Sequence, residues 1–131
     1  MSPDASVLLR SQQSADAISI IEVTVPAGWD GPPLHHHAFD EAFYVLAGEL
    51  TFQLDDTLAT RGPGTLTFAP RDSVHTLANL SGQPAHYLLI CTPGGFERRF
   101  DRAHSGPIAS DKPYLEVHFV GPTIPERLAA W

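Results

Sequence analysis

The chain has 131 residues, 43% of them apolar and 18% charged, with a formal net charge of −7 and only eight Lys and Arg. That is the size and composition of one globular domain able to bury its own core. The densest basic stretch, Arg98-Arg99, is flanked by Glu97 and Asp101, so the basic field that a nucleic-acid groove or a membrane-surface helix needs is missing.

Cys91 is the only cysteine, which rules out an intramolecular disulfide and suits a reducing cytosol. Met1 to Arg10 show no basic region followed by a long apolar run, so neither a signal peptide nor a membrane span is expected, and the expected location is cytoplasmic. Twelve Pro and ten Gly are spread along the chain. They read as turns between many short elements, which favours an all-β fold.

The first 17 residues are mixed and polar, except that Val7-Leu8-Leu9 can form an edge strand or an arm. Ile18 to Val25 is rich in β-branched residues and reads as a strand, ended by Pro26-Ala-Gly28. Leu34 to His37 and Glu41 to Leu46 are further strands. Glu49 to Leu54 alternates apolar and polar residues, as a half-buried strand does. Thr57 to Arg61 and Thr65 to Ala69 flank the turn at Gly62-Pro63-Gly64. Val74 to Leu80 and Ala85 to Cys91 follow. Phe96 and Phe100, four apart, suit one or two turns of helix. Residues 103 to 113 read as loop, and Tyr114 to Val120 as a last strand. Eight or more short strands with frequent turns indicate a sandwich or barrel.

Two of these stretches carry metal-ligand residues. Gly28-Trp-Asp-Gly31-Pro-Pro-Leu-His35-His36-His37-Ala-Phe-Asp-Glu41 is followed after six residues by Gly48. Gly64-Thr-Leu-Thr-Phe-Ala-Pro70-Arg-Asp72-Ser-Val-His75 is followed after three by Asn79. On a strand, residues two apart share a face, so His35 and His37 project together while His36 points away, to the surface or to support of the site. Parity cannot be carried across the turn at Ala38 to Asp40, nor can it bring His75 to the others; a closed barrel would. Glu41 heads the apolar run Ala42 to Leu46, where a buried carboxylate needs a cation. Three imidazoles and a carboxylate suit one divalent transition metal: Fe, Mn, Ni, Cu, Co or Zn. His86, His104 and His118 lack the pattern and read as structural or surface residues, with His86 the one that begins a strand beside the site.

The spacings His-x-His-x3-Glu-x6-Gly and Gly-x5-Pro-x4-His-x3-Asn resemble the two signature motifs of the cupin superfamily, over about residues 18 to 100. Asp72 stands where the family usually has Gly, a residue type that tolerates turn conformations. The segment Thr92-Pro-Gly-Gly-Phe-Glu97 and the closing Val120-Gly-Pro122 resemble small bacterial cupins similar to quercetin dioxygenases, with a shortened helix between. The resemblance implies a small single-domain jelly-roll β-barrel over residues 1–131, with its barrel core at about 18–92 and a short C-terminal helical segment. It implies His35, His37, Glu41 and His75 as metal ligands, with Glu41 also a proton acceptor.

Such a centre would leave two positions, one for a substrate oxygen and one for water or O2. The leading expectation is a dioxygenase-type enzyme acting on a small aromatic or enolic molecule. Phe39, Phe43, Phe52, Phe68 and Phe96 are candidates for lining its pocket, although a barrel interior is packed with such residues in any case. The alternatives are a metal-dependent isomerase, cyclase or decarboxylase working without O2, and a non-catalytic small-molecule binder. The apolar Ile18–Val25 and Val7–Leu9 edges, and the habit of small cupins, point to a homodimer.

Overall fold

The structure, a computed structural model, describes residues 3–101 and 112–130. Ten strands, all in antiparallel pairs, form two five-stranded sheets. They are β1 (Asp4–Leu9), β2 (Ser19–Val25), β3 (His35–His36), β4 (Asp40–Ala47), β5 (Leu50–Leu54), β6 (Thr57–Arg61), β7 (Leu66–Ala69), β8 (His75–Ala78), β9 (Ala85–Thr92) and β10 (His118–Phe119). One sheet runs β1-β2-β9-β4-β7 and the other β10-β3-β8-β5-β6. The result is the jelly-roll architecture expected from the sequence, with the core between the sheets. No helix among the described residues is long and apolar enough to cross a membrane.

Alternation decides which side chains enter that core. On β2 the inward row is Ser19, Ile21, Val23 and Val25; on β9 it is Ala85, Tyr87, Leu89 and Cys91. On β4 the row is Glu41, Phe43 and Val45, so the same parity that buries two apolar residues carries Glu41 inward. Tight turns hold the motif glycines. Gly31 has φ of 75°, and a Cβ there would lie 1.7 Å from the Leu77 carbonyl oxygen. Asp72 takes the left-handed conformation, with φ of 68°, and its N–H donates to the His37 carbonyl at 2.7 Å. The turn therefore survives without glycine, as the chemistry of Asp suggests.

Three expectations need correction. First, β5 is not half-buried: Leu50 to Gln53 are all buried. The short C-terminal helix that the resemblance implies, α1 (Ile124–Ala129), lies against the adjacent β8, and its Ile124 is fully buried. The polar row of β5 finds partners instead of water: Thr51 and Thr60 hydroxyls pair at 2.9 Å, and Gln53 Nε2 donates to the Asp55 carbonyl at 2.7 Å. Second, β2 is not an exposed edge, because β1 and β9 pair with it on either side; β1 is the edge. Third, Tyr114–Val120 does not form one strand. Pro113 starts a 3-10 turn through Leu115, and only His118 and Phe119 join the sheet. The turns of helix expected at Phe96–Phe100 are present, as a 3-10 helix. Most of the loop expected at 103 to 113, with His104, lies outside the described residues.

Candidate metal centre

His35 and His75 stand directly opposite each other on β3 and β8, which settles what spacing alone left open. Glu41 reaches the same point from β4 in the facing sheet. His37 lies one residue beyond β3. The four side chains are buried, and one donor atom from each lies within 4.8 Å of the others. Ring centroids are 4.6 Å apart for His35–His75, 4.8 Å for His37–His75 and 5.7 Å for His35–His37.

Backbone carbonyls fix the tautomers. Nδ1 of His35 donates to the Pro33 carbonyl at 2.8 Å, that of His37 to Phe39 at 3.0 Å and that of His75 to Ser73 at 3.0 Å. A neutral ring anchored through Nδ1–H presents its Nε2 lone pair. Nε2 of His75 then lies 3.1 Å from Glu41 Oε1, and Nε2 of His37 also meets Oε1 at close range. Several acceptors converging on one carboxylate repel unless a cation or a proton sits among them. The residues therefore fit a divalent ion, and the pattern of three imidazoles and a carboxylate is the donor chemistry it would find.

Electrostatics agree. Burial, with smaller help from His75 and His37, lowers the His35 pKa to about 4, which keeps that ring neutral. Burial alone would keep Glu41 protonated, but hydrogen bonds and charge from His37 and His75 overcome it and hold Glu41 at about 2. For His75, burial works against protonation and the Glu41 carboxylate outweighs it, so its pKa is raised. Glu41 spends only Oε1 on the imidazoles. Glu41 also lines the adjoining cavity.

That cavity has a volume of about 410 Å³ and reaches His35 and Glu41. Of the five phenylalanines expected there, Phe43 and Phe96 line it. Phe39 lies behind His37, stacked at 3.7 Å, and contributes the carbonyl that anchors that ring. Phe52 packs on Phe43 at 5.3 Å and borders a separate groove. Phe68, 49% exposed, lies in that second groove, because its position opposite Ala42 turns it away from the inward row of β4. His36 stacks on His118 at 5.1 Å, across from it on β10. His86 lies 3.5 Å from Glu22, away from the centre. Cys91 is fully buried opposite Glu41, and burial pushes its thiol up.

Three contributors were missed. Trp29 and Tyr87 line the cavity; the alternation of β9 already put Tyr87 on the inward face. Glu97 is fully buried and accepts from the Ser11 N–H at 2.9 Å, the Ser11 hydroxyl at 2.8 Å, the Gly95 N–H at 2.9 Å and the Ser19 hydroxyl. It ties the turn bearing Phe96 and Phe100 to the N-terminal segment. No local signal marks it, since Ser11 is 86 positions away.

The Cupin domain family model matches residues 21–91. No curated protein matches the chain. Among solved structures, TT1209 of Thermus thermophilus aligns at a TM-score of 0.61 and 24% identity, covering 70% of this chain and 84% of that one. A predicted oxalate decarboxylase of Thermotoga maritima aligns at 0.65 and 19%, covering 70% and 80%. The polyketide cyclase RemF of Streptomyces resistomycificus aligns at 0.62 and 24%, covering 86% and 76%. At such identities the likeness speaks for the fold alone.

Proposed function

The chain belongs to the Cupin domain family, and from that premise we propose that it is a mononuclear metal enzyme that activates a small aromatic or enolic compound for reaction with O2. The observation that carries this reading is the convergence of His35, His37, His75 and Glu41 at one end of a largely apolar cavity. A divalent ion held there would supply Lewis acidity toward an enol or carbonyl oxygen and, if redox-active, chemistry with O2.

The chain's own residues do the rest. Phe43, Phe96 and Trp29 offer apolar walls for a flat molecule and keep water out. Glu41, which lines the cavity, is the proton acceptor in this reading. A carboxylate held near 2 is a weak base, so this role needs a substrate whose enol is already acidic. The expected homodimer and cytoplasmic location belong to the same reading, supported by the exposed apolar Leu8 on edge strand β1 and by a lone, buried Cys91.

A second reading dispenses with O2: cyclisation, isomerisation or decarboxylation of a carbonyl compound. The same centre and the same largely apolar cavity would serve it, since polarising a carbonyl oxygen needs no O2. An oxygen electrode separates the two. Protein loaded in turn with Fe(II), Mn(II), Ni(II) or Cu(II) and given an aromatic 1,3-diketone should consume O2 in step with substrate loss. Undiminished turnover under argon would move the assignment to the second reading. Binding with no turnover by any loaded form would leave a small-molecule binder.

A further inference from the structure

The cavity has two ends. His35 and Glu41 stand at one. Glu41 lies opposite Cys91 on β9, and Tyr87 projects from the same inward row four residues further along. Four residues of strand span roughly 13 Å. Tyr87 is only 4% exposed, and its ring packs near Phe43 with centroids 6.0 Å apart. Its hydroxyl hydrogen-bonds to no described residue. Tyr87 is one of the residues that line the cavity. Between the two ends the walls are apolar, with Val23, Leu77 and Leu89 among them.

A buried phenol ordinarily finds a partner. Here no described residue supplies one, and the cavity that Tyr87 lines is where a ligand can. We propose that Tyr87 donates a hydrogen bond to an acceptor oxygen of the substrate at the end remote from the metal centre. The substrate class is then an elongated, flat aromatic enol or 1,3-dicarbonyl compound. It carries a second oxygen (ether, carbonyl or phenol) on the order of 10 Å from its enolic end, allowing both side chains to lean along their strands. This rests on the metal-and-enol reading above.

Two physical points support it. Burial, with a smaller contribution from Glu41, holds the Tyr87 proton well above the usual phenol range, so the group is a donor at any working pH. A site that offers one donor in apolar surroundings also discriminates, because a ligand lacking the acceptor leaves that donor unpaired. The cavity, at about 410 Å³, lies within the range of small-molecule sites.

The test uses two probes, 1-phenylbutane-1,3-dione and its 4-methoxy derivative. Dissociation constants are measured by enolate absorbance for wild type and Tyr87→Phe, each with and without Ni(II). Wild type should hold the methoxy probe about 5- to 10-fold more tightly, the worth of one net hydrogen bond. Tyr87→Phe should abolish that preference and hold the unsubstituted probe at least as tightly as wild type does, because no donor is then left unpaired. No preference in wild type, or the same preference in Tyr87→Phe, overturns the proposal. If Tyr87→Phe does not fold, the wild-type preference decides alone. Metal dependence reports on the other reading: metal-dependent binding without a methoxy preference sinks only the Tyr87 contact. Metal-independent binding with a preference lost in Tyr87→Phe sinks only the metal reading. Failure of both probes to bind overturns both.

Discussion

His36 sits between the two histidines that turn inward, and its ring lies instead against His118. That difference in facing makes a sharp prediction. Replacing His35, His37 or His75 by Ala should lower metal affinity by more than about tenfold, since even loss of a ligand's supporting hydrogen bond costs that much. His36→Ala should leave occupancy near the wild-type value. Elemental analysis of the four purified variants checks it, and equal loss in His36→Ala and His37→Ala would overturn the ligand assignment. Strand parity, a local property, brought only His35 and His37 together, and Glu41 and His75 joined them through the resemblance to the two cupin motifs. On geometry, His75 could be brought to them only by supposing a closed barrel, and the β3–β8 register supplies the link. Phe68 was misplaced for the opposite reason. Being aromatic and close to Pro70 in sequence says nothing about which face of β7 it occupies, and its partner Ala42 fixes it on the outer one. Glu97 was invisible because its partners come from segments far apart in the chain.

At the scale of elements, most strands could be read from β-branched content and turn residues, and their ends shifted by only a residue or two. The position of the C-terminal helix could not. Thr123 caps α1, its hydroxyl accepting from the Glu126 N–H at 3.2 Å while Glu126 Oε1 accepts from the Thr123 N–H at 2.9 Å. That capping box was present in the sequence as Thr-x-x-Glu. The helix it starts has only six residues, too few for an apolar period to stand out. The Phe96–Phe100 turn is short as well and depends on Glu97 for its place. Glu97→Gln would set an amide NH2 among groups that are all donors. It should destabilise the protein by about 2 kcal/mol, within the range for hydrogen bonds to a charged group, and loosen Phe96 and Phe100 at the cavity. Urea unfolding measures the first effect, and an unchanged midpoint would show that Glu97 is not a pin. Edge strand β1 bears Leu8, 51% exposed. An apolar edge of this kind favours pairing with a second copy. Light scattering at micromolar concentration should therefore give twice the 14.2 kDa chain mass, and the monomer mass would refute the dimer.

For the whole molecule, pH and metal act on one equilibrium. His35, at about 4 in the fold, lies below its unfolded value near 6.5. Between those values the unfolded chain takes up a proton that the native state refuses, so metal-free stability falls as pH drops through that window. By pH 5 the loss is on the order of 2 kcal/mol. His75, raised in the fold, has the opposite sign. Its contribution is present below about 6.5 and fades as pH rises through its native value. Glu41, held near 2, stabilises above its unfolded value of about 4.3 and is lost only as pH falls toward 2, outside this range. A bound ion adds a further contribution, because it binds the folded state alone and stabilises it by mass action. Its ligands must be deprotonated, so protons compete with it for His75, whose pKa is raised in the fold, increasingly as pH falls. Metal-loaded protein should melt above metal-free protein at about pH 7.5, and the gap should narrow at about pH 5 as this competition sets in. Paired thermal melts at both values check it. A gap absent at the higher pH, or undiminished at the lower, would mean that His35, His37 and His75 are not the principal ligands.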